Sequence, residues 1–168
     1  MKRKDNMALL TNEPAIYKKV SIVKLQMVKE SQALYGMNRF TSPEDAVETV
    51  RPMFDLCDRE VLVVLSVDTK CTPLAAEIVA IGGLDACITD PRTIYKHALL
   101  NNAAGIFCFH NHPSGEPEPS DADKVVTQRL YEAGRVLGVR LIDHIVFGED
   151  TFFSFRQHDM LGIPCDYE

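Results

Sequence analysis

The chain has 168 residues, 46 % of them hydrophobic and 25 % charged, with a formal net charge of −6. That is enough for one domain with a proper core and too little for two, and the balance is that of an ordinary globular protein, not a collagen-like, disordered or membrane chain. No apolar run approaches a membrane span, and after the basic start Met1-Lys2-Arg3-Lys4 the stretch from Met7 to Leu10 is too short for a secretory leader, so a cytoplasmic protein is expected.

The charge is unevenly divided: residues 1–39 carry eight Lys or Arg against three Asp or Glu, and residues 40–168 carry ten against twenty-one, leaving the two parts at +5 and −11. An acidic body is repelled by a phosphate backbone, so contact with nucleic acid is expected to use the basic segment 1–39. The expected organisation is an N-terminal extension, residues 1–40, followed by one domain, residues 41–168. The five cysteines (Cys57, Cys71, Cys87, Cys108 and Cys165) are odd in number and contain no Cys-x-x-Cys pair. Reduced thiols are expected, without a disulfide framework or a cysteine metal site.

In chain order, residues 1–15 read as a lead-in ending near Pro14. Val20, Ile22, Leu25 and Met27 then give a broken alternation that predicts a possible edge strand between Lys18 and Val28. Ser42-Pro43-Glu44-Asp45 is a helix start, with Ser42 as N-cap, Pro43 in the first turn and Asp45 three residues after the cap. Ala46, Val47, Val50, Met53, Phe54 and Cys57 follow at helical spacing, with Pro52 expected to kink or shorten the helix. Glu60 opens the continuous apolar run Val61 to Val67, which suits a strand covered on both faces. A second strand is predicted from about Leu74 to Ile81. Asp90-Pro91 starts a helix with a buried stripe of Ile94, Tyr95, Ala98 and Leu99. Gly105 to Phe109 is a buried strand delivering His110. After a Pro-rich loop, Ser120 caps a helix with the stripe Val126, Leu130, Ala133 and Leu137, ended by Gly138. Leu141 to Phe147 and Thr151 to Phe155 are the last strands. The order α-β-β-α-β-α-β-β, without strict βαβ repetition, predicts an α/β fold with a mixed sheet flanked by helices.

The richest chemistry lies in His110-Asn111-His112-Pro113-Ser114-Gly115 and Ser120-Asp121-Ala122-Asp123. Side chains alternate in extended backbone, so His110 and His112 face the same way and can share one cation while Asn111 points away. Asp123 arrives in the first turn of a helix. Two imidazoles and one carboxylate are a common set for catalytic zinc, leaving a fourth position for water. Glu60 is the candidate to move the water proton. The bland alternative is a helix capping box, Ser120-x-x-Asp123, beside partly buried histidines. Capping and chemistry are compatible, because a hydroxyl at a helix N-terminus lies where an oxyanion is stabilised.

His-x-His, seven residues, Ser, two residues, Asp, with an upstream Glu, resembles the JAMM motif of the MPN/JAB metallohydrolases. His-Asn-His-Pro-Ser-Gly, with Leu141-Ile142-Asp143-His144-Ile145 downstream, is more similar to the RadC branch. The resemblance covers about residues 42–156 and implies a cytidine-deaminase-like MPN/JAB fold. It further implies Zn²⁺ held by His110, His112 and Asp123, with Ser120 stabilising the tetrahedral intermediate and Glu60 as general base. Glu77, the nearest competitor, sits mid-strand and suits an edge or surface role. His144 matches the family's Asp-His pair and is expected to support the metal site or line the groove without being a ligand. His97 and His158 have no motif context and are expected at the surface.

Fuller RadC-type chains resemble a helix-hairpin-helix DNA-binding module joined upstream to the metal domain, which residues 1–40 are too few and too poor in Gly hairpins to supply. The leading expectation is a zinc metallopeptidase or hydrolase acting on an amide, peptide or isopeptide bond in an unidentified peptide or protein substrate. The alternatives are a DNA-associated protein of repair or mobile-element type using residues 1–39, and a metal-dependent nuclease with the same site.

Overall fold

The structure, a computed structural model, describes residues 20–24, 27–28, 39–54, 57, 59–82 and 90–162. Of the segment 18–28, residues 20–24 and 27–28 lie in neither helix nor strand and are exposed, and the other positions fall outside the described residues. No helix among the described residues is long and apolar enough to cross a membrane.

The first helix, α1, spans Pro43–Val50 and tightens into a 3₁₀ turn at Arg51–Met53. Pro52 has no N–H to continue an α-helical ladder, so the helix ends there. Asp45 closes its start by accepting from the Thr41 and Ser42 N–H groups at 2.6 and 3.1 Å. The strands β1 (Val61–Val67) and β2 (Pro73–Ile81) pair antiparallel. Helix α2 (Pro91–Leu100) leads to β3 (Gly105–Asn111), and α3 (Asp121–Leu137) carries the chain to β4 (Arg140–Phe147) and β5 (Phe152–Ser154). These elements form a five-stranded sheet in the order β2-β1-β3-β4-β5. Only β3 and β4 run parallel, joined through α3; the other neighbours are antiparallel. The α/β fold with a mixed sheet is as predicted.

Every residue of β1 is buried, as its unbroken apolar run requires. Val61, Val63, Leu65 and Val67 pack toward α1 with Phe40, Val50, Phe107 and Phe109. Leu62 and Val64 pack on the opposite face with Ile94, Tyr95, Cys108 and Leu130 from α2, β3 and α3. The sheet is thus covered on both sides, and Cys108 is core, its thiol pushed up to about 12 by burial.

Two helical stripes differ from expectation. On α2, Leu99 is half exposed and His97 is buried instead, with its Nδ1 2.9 Å from Ser66 Oγ and its Nε2 3.1 Å from the Asn101 amide nitrogen. A polar serine in β1 beneath the helix gives this histidine a partner, which corrects its expected surface position. On α3, Leu137 is exposed and Val126 and Ala133 are half-buried, while Asp123, Thr127, Leu130 and Gly134 are buried. A Cβ on Gly134 would stand 2.4 Å from the Tyr95 hydroxyl oxygen, so the close approach of α3 to α2 needs a glycine there. The inward stripe is therefore polar at one end and small at the other, a pattern that apolar periodicity does not detect.

Asp143 is fully buried in β4 and accepts from Ser154 Oγ and from the Arg156 N–H, which ties the β5 corner to the sheet. Burial raises its carboxyl to about 6 against these bonds, which lower it. The folded protein therefore favours the protonated form, and the stabilisation this gives is full below pH 3.8 and lost as pH rises through about 6. Measured by denaturant unfolding from pH 4 to 7, the parent chain is expected to lose on the order of 2–3 kcal/mol relative to Asp143→Asn, which has no charge to bury. Parallel stability curves would show that the buried charge carries no penalty.

Candidate metal centre

The carboxyl end of β3 meets the amino end of α3, and the site lies between them. His110 is buried and His112 is two residues on, so extended backbone turns both rings to the α3 side. Their Nε2 atoms stand 3.1 Å apart. Asp123, in the first turn of α3, brings Oδ1 to 3.3 Å from His110 Nε2 and Oδ2 to 3.4 Å from His112 Nε2. Among the described residues these three form a group that can hold a metal ion. Donors bound to one tetrahedral ion at about 2.0–2.1 Å stand about 3.3 Å apart, and the observed spacings fit that requirement.

The loop between the elements is held at both ends. The His112 N–H donates to the Phe147 carbonyl at 2.9 Å, and the Glu149 N–H donates to the Gly115 carbonyl at 3.0 Å. Gly148 lies under this loop, where a Cβ would come within 2.4 Å of the Gly115 carbonyl oxygen. His112 Nδ1 reaches the Glu116 carbonyl oxygen at 2.8 Å. A carbonyl only accepts, so Nδ1 carries a hydrogen there, and Nε2 is the ring nitrogen turned to the site.

Ser120 is the N-cap of α3 and forms a capping box with Asp123. Its N–H and Oγ–H both donate to Asp123 Oδ2, at 2.8 and 2.6 Å, while the Asp123 N–H donates back to Oγ at 3.2 Å. The cap and the metal-facing carboxylate are thus one arrangement, leaving Oδ1 turned to His110. Burial pushes the Asp123 carboxyl up, but the hydrogen bond and charge of His110 and the bonds from Ser120 outweigh it, holding it well below the usual carboxylate range. The helix N-terminus favours the same ionised form.

Glu60 immediately precedes β1. The β1–β3 ladder ends on the pair Leu62 and His110, so Glu60, two residues before Leu62, lies at the end of β1 that adjoins the histidines. Asn111, whose side chain points the other way, grips this segment: its Oδ1 accepts from the Val61 N–H at 2.7 Å and its Nδ2 donates to the Arg59 carbonyl at 3.0 Å. Glu77 is exposed in the edge strand β2. His144 is buried in β4 beside the donor group but outside it, with Nε2 2.9 Å from His110 Nδ1 and Nδ1 2.6 Å from Thr127 Oγ1. His158 is exposed and stacked on Phe153. Asn111 and Thr127 escape reading from sequence, although Thr127 lies one helical turn after Asp123 and so on its face.

Removing the Ser120 hydroxyl tests whether cap and site are coupled. Ser120→Ala is expected to lose about 1 kcal/mol of stability through the cap and about tenfold in affinity for added Zn²⁺ through the released carboxylate. Calorimetric unfolding together with chelator competition reads both. Lost stability at unchanged affinity would reduce Ser120 to a cap.

Comparison with known proteins agrees with this architecture. The RadC-like JAB domain matches residues 40–160. A UPF0758 protein of Listeria monocytogenes is 43% identical over 115 residues, which cover 68% of this chain and 51% of the relative. A UPF0758 protein of Clostridium perfringens is 34% identical over 146 residues, covering 87% of this chain and 60% of the relative, and one of Methanosarcina mazei is 38% identical over 118 residues, covering 70% and 52%. The chain therefore spans about half the length of the curated relatives it matches. JAB domains are metal-dependent and often hydrolytic, which agrees with the donor group between β3 and α3. With the match running from three residues before α1 to beyond β5, the chain belongs to the RadC family of the JAB/MPN superfamily.

Proposed function

We propose that this chain is a zinc-dependent hydrolase that cleaves an amide, peptide or isopeptide bond. The observation that carries this reading is the convergence of two imidazole Nε2 atoms and one carboxylate at spacings of 3.1–3.4 Å. Three protein donors leave one tetrahedral position open, as catalytic zinc sites do and closed structural sites do not. When bound, Zn²⁺ supplies a Lewis acid that brings the pKa of water to about 7 and polarises a carbonyl oxygen.

The chain's own residues supply the remaining roles. His110, His112 and Asp123 hold the ion. Glu60 takes the proton of the attacking water and passes it to the leaving nitrogen, a role worth typically about 10²–10⁴-fold in rate. The Ser120 hydroxyl lies at the positive end of α3 and stabilises the developing oxyanion. Its single proton rests on Asp123 Oδ2, so that service requires the hydroxyl to rotate toward the substrate. The substrate is a peptide or protein. A DNA-linked role is the second reading, supported by the +5 charge of residues 1–39 against an acidic remainder.

Glu60→Gln is expected to keep about one Zn²⁺ per chain by metal analysis while losing 10²-fold or more in turnover, roughly the share of a general base. His112→Ala is expected to lose metal and turnover together, and a chelator to abolish activity that added Zn²⁺ restores. A panel of peptide, isopeptide and small amide substrates, run beside single- and double-stranded DNA, checks the bond class. Full turnover in Glu60→Gln would remove its assignment as base. DNA cleavage that disappears in Asp123→Ala, with no amide cleaved, would replace the peptidase reading by a nuclease.

A further inference from the structure

Among the described residues two apolar surfaces of this chain stand uncovered, and one short tether joins them. The first is on β2, the edge strand of the sheet. Cross-strand partners share a face, so Ala76 and Ile78, opposite Leu65 and Val63, and Ile81, opposite Val61, stand on the α1 side. The core cluster under α1 nevertheless contains no β2 residue among the described residues, and Leu74, Ile78 and Ile81 are 43–62 % exposed. Glu77, opposite Val64, stands on the α2 side and is also exposed. The second surface is the segment Val20 to Val28, where Val20, Ile22, Val23 and Val28 are 75–81 % exposed and lie in neither helix nor strand. A bare edge strand and a bare apolar segment each invite pairing.

The tether limits where the segment can go. Phe40 is buried in the core cluster under α1, edge-on to Phe107, and its N–H donates to the Cys71 carbonyl at 3.0 Å. The chain ahead of Phe40 therefore joins the domain beside the turn that opens β2, and residues 29–39 connect that point to Val28. Those residues reach at most about 36–40 Å when extended. β2 runs away from the turn for nine residues, about 27 Å. An antiparallel segment brings Val28 back to the Pro73 end with slack, whereas a parallel one makes the connection span the whole strand. We infer that residues 20–28 add to β2 of the same chain as a sixth, antiparallel strand, with Lys24 set against Glu77. That register puts Val23 and Leu25 beside Ile78 and Ala76 on the α1 side, and Val28 beside Pro73. One pairing thus covers the apolar row, supplies a cross-strand pair of opposite charge and gives the outward main-chain groups of β2 their partners. The overall charge favours it too, with +5 on residues 1–39 against −11 on the remainder. The other edge strand, β5, has three residues and offers no comparable ladder. Docked in this way the segment is part of the domain and not a free arm for nucleic acid.

Amide hydrogen exchange of the full chain, read by mass spectrometry at two widely separated protein concentrations and again with double-stranded DNA, tests the inference. Without DNA, residues 20–28 are expected to exchange at least about tenfold more slowly than an unstructured peptide of the same sequence, equally at both concentrations. Lys24→Glu and Glu77→Lys are each expected to lose about two- to fivefold of that protection, and the double variant to regain it. Val23→Asp is expected to abolish protection of residues 20–28 and to speed exchange in β2, with β3 and β4 unchanged as the sign that the domain is still folded. Exchange of residues 20–28 at the unstructured rate in the parent chain overturns the inference, whatever the variants do. So does protection that vanishes on dilution, which assigns the β2 edge to a second copy, and protection that appears only with DNA. Loss of protection in residues 20–28 of Val23→Asp with β2 unchanged places the segment elsewhere and overturns the docking as well.

Discussion

Two imidazoles and a carboxylate gathered at 3.1–3.4 Å in a largely buried place are the constraint around which the structure is arranged. No single local interaction gathers them. His110 is fixed by its strand and by His144 behind it, His112 by main-chain and ring bonds at the mouth of the loop, and Asp123 by the capping box of α3. A cation bound between these donors would tie metal binding to the stability of the fold.

The sheet topology supplies the rigidity. β3 is flanked by antiparallel β1 and parallel β4, and the crossover from β3 to β4 runs through α3. Such a crossover brings a strand's carboxyl end and the following helix's amino end to one place, where α/β sheets commonly bind ligands. The antiparallel β1 enters from the other side with its first residues beside that end, which is how Glu60 comes to lie near the end of β3. Asn111 is the hinge pin of this meeting: it belongs to the strand of the histidines, faces away from them, and grips the main chain on both sides of Glu60. One dipeptide thus serves two neighbours, His110 toward α3 and Asn111 toward the main chain at the start of β1.

The elements that were legible are those whose signal is local. The capping sequences at Ser42, Asp90 and Ser120 mark the starts of α1, α2 and α3, and Gly138, with φ of 71°, marks the end of α3. The apolar runs mark β1, β3 and β4 because strands covered on both faces need no alternation. His110, His112 and Asp123 were legible as a donor set because strand alternation and a helix first turn are short-range geometry. Where packing decides, the apolar pattern misled. Leu99 and Leu137 were expected inside and lie outside, while His97, Asp123 and Thr127 are inside because each finds polar partners on a neighbouring element.

The sequence by itself determined the family, the order of elements and the residue types gathered for metal chemistry, since these depend on spacing along the chain and on chemical identity. Only the tertiary structure decided that the start of β1 adjoins the end of β3, that Asn111 clamps the main chain on both sides of Glu60, and that Thr127 and His144 stand behind His110 in a chain of hydrogen bonds. Those pairings join residues far apart in sequence, from 17 positions for Thr127 and His144 to 52 for Asn111 and Arg59. Sheet register and helix docking bring them together, and both are set by burial of the whole core on two faces of the sheet, a quantity no local stretch of sequence contains.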